Sequence, residues 1–459
     1  MSKSHSRREF LKRAALLSAT GAAVPLAFQL SLINESSIAE MPKDYKALVC
    51  IFLDGGNDQH NTLIPYDNDN YKSYQRNRQK LAIPQSQLIL PPISLDDGRE
   101  VVLASQLEGI QSLFKKGRLG IIANTGTLLE PTSKKKLMNG TIKLPPRLFS
   151  HNDQKNYWLS SVSGSPQTGW AGRAGDLFLN NNTLKPLTCI SVNGEGLFLS
   201  GAEAKSFSVG VDGNPKLLWG SDYLFGEDYL DELRIMMSKS KENHLENEYV
   251  KVTTRGLDYA DKLDTALKSR PPLKTNFPKE NKLADALKMV AKQISAHKEL
   301  GNKRQVFMVQ LTGFDSHDNL RIKHPALLKL LNDGMVSFNL ALEELNLENQ
   351  VTTFTASEFG RTLTSNGDGS DHGWASHHFI MGGAVKGGKI HGRVPYPIVD
   401  GNDDFGQGRF IPDLSTDQFF WPLAKWFGVP HSDRFLVLPN LKRFNEEALN
   451  MMIKEKLTT

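Results

Sequence analysis

Long apolar runs that do not alternate with polar residues are the feature that most constrains the fold of this chain. Residues 47–53 are apolar throughout, 306–311 contain a single polar residue, and 351–357 are rich in β-branched and small residues. Strands that are apolar on both faces are typical of a parallel sheet with helices on each side. Helical spacing of apolar residues recurs at 106–116, 283–300 and 325–345. The sequence therefore predicts an α/β fold.

Further segments complete the predicted architecture. A strand at 119–124 follows the helix at 106–116, which is the alternation expected of a parallel sheet. Residues 379–390 predict two strands joined by a tight glycine turn. The helix at 416–427 is rich in aromatic residues, which indicates core packing. Residues 195–300 are less regular and then strongly charged, and they predict a helical excursion from a single domain spanning 40–459.

The charge of the chain argues against a nucleic-acid partner. The formal net charge is +5, but residues 1–39 hold five of the 55 basic and only two of the 50 acidic residues. The rest of the chain therefore has 50 basic and 48 acidic residues, without the concentrated basic face that nucleic acid requires. The two cysteines, Cys50 and Cys189, lie in predicted strands and are expected to be buried and unpaired.

The first 39 residues have the pattern of a twin-arginine export signal. The segment SRREFLK begins at Ser6, and an apolar stretch at 14–33 follows it. Small residues at Ser37 and Ala39 predict cleavage after Ala39. An uncleaved membrane anchor is the alternative, because the apolar stretch approaches spanning length. We expect a twin-arginine export machinery as partner, a periplasmic or secreted location, and a mature chain that is not an integral membrane protein.

Polar side chains cluster directly after three predicted strands. The carboxyl ends of parallel strands meet at one edge of a sheet, so these clusters are expected to converge there. The alternative is that they are ordinary turn residues and helix caps. The clusters contain, in chain order, Asp54, Asp58, Thr62, Asp315, His317, Glu358, Arg361, Asp371, His372 and His377.

Carboxylate and imidazole groups are the ligands that hard or borderline divalent ions prefer. Asp315 and His317 lie two residues apart, and Asp371 and His372 are adjacent. This supports a metal site at the sheet edge. His151, in a predicted loop at 150–154, is equally compatible with a site residue or a residue beside a helix cap.

Several motifs together resemble an uncharacterised bacterial family, the domain of unknown function 1501 family. They are FLDGGNDQHNTLIP, LFSHNDQ, GFDSHDN, SEFGRT, SDHG and GGAVKGGKIHG, in the order of that family. The family is usually exported by the twin-arginine route and is grouped with the alkaline-phosphatase-like superfamily, which includes sulfatases. The resemblance covers nearly the whole mature chain.

The resemblance implies a three-layer α/β/α sandwich with a mostly parallel central sheet and one or two divalent ions at its carboxyl edge. The ions could be zinc, calcium, magnesium or manganese. Carried over to this sequence, the candidate ligands are Asp54, Asp58, Asp315, His317, Glu358, Asp371 and His372.

The implied activity is hydrolysis of phosphate or sulfate esters. Arg361 would hold the anionic oxygens, and His151 or His377 would protonate the leaving group. The loop after the first strand has neither the serine nor the cysteine that superfamily hydrolases use as nucleophile, which leaves Thr62. That departure supports an alternative, a non-catalytic exported protein that binds a glycan or another partner.

Overall fold

The computed structural model of the chain describes residues 44–194, 196–213, 235, 239 and 243–453. The strands are β1 (Lys46–Asp54), β2 (Leu63–Pro65), β3 (Ile93–Ser94), β4 (Glu100–Leu103), β5 (Leu119–Gly126), β6 (Cys189–Ser191), β7 (Phe207–Ser208), β8 (Arg304–Thr312), β9 (Val351–Ala356), β10 (Ser376–Met381), β11 (Ile390–His391) and β12 (Leu414–Ser415). The α-helices are α1 (Asn68–Arg78), α2 (Glu108–Lys115), α3 (Lys134–Met138), α4 (His151–Ser160), α5 (Trp170–Asp176), α6 (His244–Lys268), α7 (Lys282–Ser295), α8 (Leu320–Glu344), α9 (Thr416–Phe427) and α10 (Arg434–Val437).

In the described part of the chain, nine strands form the central sheet, in the order β11-β5-β10-β9-β1-β8-β6-β7, with β12 also paired to β5. β1 lies between β8 and β9 and is parallel to both. β10 runs antiparallel to its neighbours β9 and β5, so its amino end lies at the edge where β9 ends. A second sheet of three strands has the order β2-β4-β3. The central sheet is thus mostly parallel, as predicted.

Alternate residues of β1 face two separate cores. Val49 and Ile51 belong to a core that includes residues of α2, α7 and α8. Cys50 and Phe52 belong to the opposite core, which includes residues of α4, α5 and α9. Because successive side chains of a strand point to opposite faces, this division places a helical layer on each side of the sheet. The predicted three-layer α/β/α sandwich is confirmed.

Segments with strong local patterns have nearly the predicted bounds. α9 has the predicted bounds, and its aromatic residues are buried in the core.

Cys50 and Cys189 are buried free thiols, as predicted, and burial raises the pKa of each thiol well above its usual range. The described part of 195–300 contains β7, α6 and α7, and α7 packs on α8 and β8.

Two local predictions are wrong. Residues 379–390 do not form a hairpin, because β10 and β11 both pair with β5 instead of with each other. The predicted loop at 150–154 contains the first turn of α4, which begins at His151 after Ser150 in the N-cap position. For β10 and β11 the pairing depends on β5, a partner that is distant in the sequence.

The predicted export signal at 1–39 lies outside the described residues. Among the residues that are described, no helix combines the length and apolar character needed to cross a membrane.

Candidate metal centre

The candidate centre lies at the edge of the sheet where β1, β8 and β9 end. Asp54, the last residue of β1, lies opposite Thr312 of β8. The following loops contact each other through their backbones, since the Phe314 amide donates to the Asp54 carbonyl at 3.1 Å. Arg361 and His372, on the segment that links β9 to β10, form an isolated antiparallel bridge. Three chain segments and the start of α4 therefore converge on one point.

Two imidazoles face each other at this point. The Nε2 atoms of His317 and His372 are 2.9 Å apart. His372 Nδ1 lies 2.8 Å from the Phe149 carbonyl oxygen, and His317 Nδ1 lies 3.3 Å from a carboxylate oxygen of Asp371. In the tautomer in which each Nδ1 donates its proton to that acceptor, each Nε2 is left as a lone pair. Both lone pairs then point towards the space beside Asp315.

Asp315 is the carboxylate shared by the cluster. One of its oxygens is 3.1 Å from His317 Nε2 and 3.4 Å from His372 Nε2. The other oxygen is 3.5 Å from His151 Nε2. Candidate ligand atoms of His151, Asp315 and His372 all lie within 4.8 Å of one another. Burial favours the neutral form of Asp315 and so raises its pKa. The hydrogen bond and the charge of the Arg361 guanidinium act in the opposite direction, and the pKa of Asp315 is lowered overall.

Glu358 positions His151 through a hydrogen bond to the ring. Its Oε1 atom is 2.8 Å from His151 Nδ1 and accepts the Gly55 amide at 2.9 Å. The hydrogen bond to Glu358 raises the pKa of His151, which favours the protonated ring. The side chain of Glu358 is buried, and its Oε2 atom has no hydrogen-bond partner among the described residues.

The Arg361 side chain is fully buried beneath Asp315. Its Nη1 atom donates to Asp315 at 2.9 Å and to the Gly55 carbonyl at 3.2 Å, and Nη2 donates to the Ser370 carbonyl. Burial lowers the pKa of Arg361, and the Asp315 carboxylate opposes that shift. The guanidinium thus holds the loops together, and its Nη atoms contact oxygens of the protein.

The remaining carboxylate of the cluster, Asp371, contacts the His317 ring nitrogen that faces away from His372. It contacts His317 Nδ1 and accepts from Asn366 Nδ2 at 2.9 Å. Burial raises the pKa of Asp371, but the bonds from Asn366 and His317 outweigh burial and lower it overall. A carboxylate behind a histidine is the usual support of a metal ligand, because it fixes the ring and its tautomer.

Three residues predicted for the site lie away from the imidazoles. Asp58 is buried in an ion pair with Arg78 of α1. Thr62 is also buried, and its hydroxyl donates to the Asp58 carbonyl at 2.8 Å. His377 lies in β10, where its Nδ1 accepts the Asn124 amide at 3.0 Å, and burial lowers its pKa to about 4.

Asp54 has a partner that the sequence did not point to. Its carboxylate binds the ammonium of Lys155 at 2.8 Å. Lys155 is four residues after His151 in α4, so both side chains project from one face of the helix. This spacing was visible in the sequence, but the segment was predicted to be a loop.

The donor set fits a divalent cation of borderline hardness. Two imidazole nitrogens and one carboxylate form a mixed nitrogen and oxygen donor set, whereas calcium and magnesium prefer oxygen ligands alone. The side chains of Asp315 and His317 are each 45% exposed. The centre is therefore open to solvent on one side, whereas the buried side chains of Glu358 and Arg361 lie on its other side.

Several solved structures have low overall similarity to the chain. The PsFucS1 sulfatase from Pseudoalteromonas sp. has 9% identity and a TM-score of 0.35, covering 85% of this chain and 68% of that chain. The lipoteichoic acid synthase LtaP from Listeria monocytogenes has 7% identity and a TM-score of 0.32, covering 91% of this chain and 81% of that chain. The Thermus thermophilus alkaline phosphatase has 10% identity and a TM-score of 0.27, covering 71% of this chain and 61% of that chain. TM-scores of this size carry no argument about function.

At the level of sequence, part of the chain matches a protein family. No curated protein matches the chain. A family model described as a protein of unknown function (DUF1501) matches residues 228–405, a segment that contains Asp315, His317, Glu358 and His372. The resemblance to the domain of unknown function 1501 family is therefore confirmed over residues 228–405.

Proposed function

We propose that this chain is an exported, metal-dependent hydrolase of phosphate or sulfate esters. The observation that carries the proposal is the pair of imidazole Nε2 atoms, 2.9 Å apart, on rings whose Nδ1 atoms both contact acceptors. In the tautomer with both protons on Nδ1, the two Nε2 lone pairs repel each other unless a proton or a metal cation lies between or beside them. His317, His372 and Asp315 would hold that cation. When bound, it would supply positive charge that stabilises the developing charge on the ester oxygens.

His151 is assigned to proton transfer. Its Nδ1 is held by Glu358, and its Nε2 faces Asp315 at the solvent-exposed side of the cluster. The hydrogen bond to Glu358 raises the pKa of His151, which favours the protonated ring. The protonated Nε2 can therefore give its proton to the leaving oxygen of an ester bound at the rim. Glu358 stabilises the charged ring and fixes its orientation.

The attacking group in this proposal is a water molecule from the open side of the cluster. Thr62 is buried, and its hydroxyl is bonded to the backbone. The buried Arg361 side chain donates to Asp315, so we assign Arg361 to positioning that carboxylate. The residues that meet the substrate are then those of the exposed rim.

The position of Thr62 also favours a second candidate function. With the Thr62 hydroxyl bonded to the backbone, the chain could retain the cation and bind an anionic glycan or a cell-wall polymer without turning it over. Both candidates require the same metal site. Turnover is the property that separates them.

Metal analysis combined with a substrate screen tests the proposal. The purified mature chain is expected to retain a divalent metal and to hydrolyse an aryl phosphate or an aryl sulfate. His372→Ala should lose both the metal and at least 100-fold in kcat/KM, since an outer partner of a metal ligand alone is worth about 10- to 100-fold. His431→Ala is the matched control, because His431 is exposed and pairs with Glu446 elsewhere. Bound metal without turnover would favour the binding protein, and no metal would contradict both candidates.

A further inference from the structure

The segment between β5 and α4 concentrates positive charge beside the candidate centre. Residues 129–149, which we call the basic loop, contain five basic residues and one acidic residue. Residues 40–459 contain 50 basic and 48 acidic residues, so outside the basic loop they contain 45 and 47. The near balance of the chain therefore conceals one strongly basic segment. Its basic residues are Lys134, Lys135, Lys136, Lys143 and Arg147.

Contacts at both ends and in the middle fix the basic loop to the rest of the fold. The flanking residue Leu128 and the loop residue Leu148 are buried in a small core that also contains Trp374. Between them, the Lys134 ammonium donates to the two backbone carbonyls of residues 400–401, each at 2.9 Å. The other basic side chains of the loop are therefore presented from a fixed position on the surface.

The end of the basic loop forms part of the candidate centre. The carbonyl oxygen of Phe149 lies 2.8 Å from His372 Nδ1, and His151 begins α4 two residues later. Arg147 is two residues before Phe149, so their Cα atoms are at most about 7 Å apart. The Arg147 side chain is 80% exposed and contacts the Asp153 carboxylate at 3.8 Å. At physiological salt the Debye length is about 8 Å, so positive charge at Arg147 is felt by an anion that enters the centre.

The exposed side chains of Lys135, Lys136 and Lys143 continue the positive charge along the loop. A small ester has one anionic group, which the centre would take. A polymer with repeated anionic groups can contact the centre and the basic loop at once, and such double contacts increase affinity.

The side chains of the basic loop favour a polysaccharide over a nucleic acid. The single aromatic residue of the loop is Phe149, and the Arg409 guanidinium lies over its ring, 4.9 Å from the centroid. The loop therefore lacks the exposed aromatic side chains on which the bases of single-stranded nucleic acids stack.

We propose that the basic loop binds an anionic polysaccharide, one of whose sulfate or phosphate esters enters the centre. This inference rests on the proposed function for the reacting ester and assigns the rest of the substrate to Lys135, Lys143 and Arg147. The contacts are ionic and exposed, so binding should weaken as the salt concentration rises.

Binding of labelled polymers to the chelator-treated mature chain tests the inference without metal or turnover. Fluorescence anisotropy should show binding of dextran sulfate and of phosphorylated dextran, but not of neutral dextran, and the two anionic polymers show which ester is preferred. The triple variant Lys135→Glu, Lys143→Glu and Arg147→Glu should bind about tenfold more weakly or worse, because attraction becomes repulsion.

The matched control makes the same change of charge on α6. Lys251→Glu, Lys262→Glu and Lys268→Glu replace three exposed lysines there and should change the affinity by less than about twofold. An equal loss in both triple variants would overturn the role of the basic loop. If the first triple variant does not fold, the corresponding three changes to Gln should still weaken binding, and unchanged binding would overturn the inference.

Two further results separate the basic loop from the proposed hydrolase. Tighter binding of single-stranded DNA or polyglutamate than of either anionic dextran would overturn the choice of a polysaccharide. Failure of the metal-loaded chain to hydrolyse either anionic dextran or a small aryl ester would contradict the hydrolase. If the loss of binding remained specific to the loop variant, the role of the basic loop would still be supported.

Discussion

Single residues decide whether the segments of the centre can approach one another, and Gly55 shows this most directly. It follows β1 with φ of +117°, a conformation that L-residues rarely adopt. A Cβ atom at this position would lie 2.2 Å from the Asp315 backbone nitrogen. The Gly55 amide and carbonyl also bind Glu358 and Arg361. One glycine therefore allows three side chains of the cluster to meet.

We expect Gly55→Ala to destabilise the chain by about 3 kcal/mol or more, because backbone strain and a backbone clash add together. Gly98→Ala is the control, since Gly98 also has positive φ, +83°, but no atom lies within 4 Å of its Cβ position. That control should cost about 1 to 2 kcal/mol. Urea unfolding of both variants measures the difference. Equal losses would show that the contact with Asp315 does not constrain the loop.

At the scale of elements, α4 and α9, which pack on the same face of the sheet, are linked through the buried carboxyl group of Asp417. Asp417 lies in the first turn of α9, and the hydroxyl of Ser161, the C-cap residue of α4, donates to it. The helix N-terminus and this bond favour the carboxylate. Burial outweighs them and raises the pKa of Asp417 to about 6. The contact between α9 and α4, the helix that carries His151 and Lys155, therefore depends on pH.

The sign of this dependence follows from proton binding. Between about pH 4 and pH 6 the folded chain keeps the Asp417 proton while the unfolded chain has lost it, so stability falls as the pH rises through this window. The full loss is about 3 kcal/mol for a shift of roughly two units. Asp417→Asn lacks this titration. Its melting temperature relative to the wild-type chain should rise from pH 4 to pH 6 and stay level above. A pH-independent difference would contradict the raised pKa.

At the scale of the whole molecule, the described fold is built around parallel strands whose ends meet. The loop after β1 is far in the sequence from the loops after β8 and β9, yet all three share one edge because β1 lies between the other two strands. The predicted cleavage site after Ala39 precedes β1, the central strand, which begins at Lys46. We therefore expect export and folding to be separable properties of this chain.

Replacing Arg7 and Arg8 with lysine should abolish export while leaving the folded domain unchanged, because the twin-arginine machinery requires the arginine pair. Fractionation of producing cells should show the double variant in the cytoplasm and the wild-type chain outside it. The two purified chains, and a chain that begins at Glu40, should melt at the same temperature. Normal export of the double variant would contradict the twin-arginine assignment.

Prediction from sequence succeeded where the signal is local. The unbroken apolar run of β1 and the spacing of α9 each depend on residues within one segment. It failed for β11, whose partner is β5 instead of the nearby β10. It also missed Lys155, because the helical start of α4 at His151 was taken for a loop. Pairing between segments distant in the chain has no comparable local signal.

The sequence by itself determined the long central strands β1, β8 and β9 and showed that carboxylates and histidines follow them, since hydrophobic periodicity and residue order are properties of the chain. Only the tertiary structure decided which of these groups meet. Asp54, Asp58 and Asp315 all occur directly after predicted strands, but their partners are Lys155, Arg78 and the two imidazoles. Those partners arrive on other elements, so the chemistry of each carboxylate depends on packing geometry.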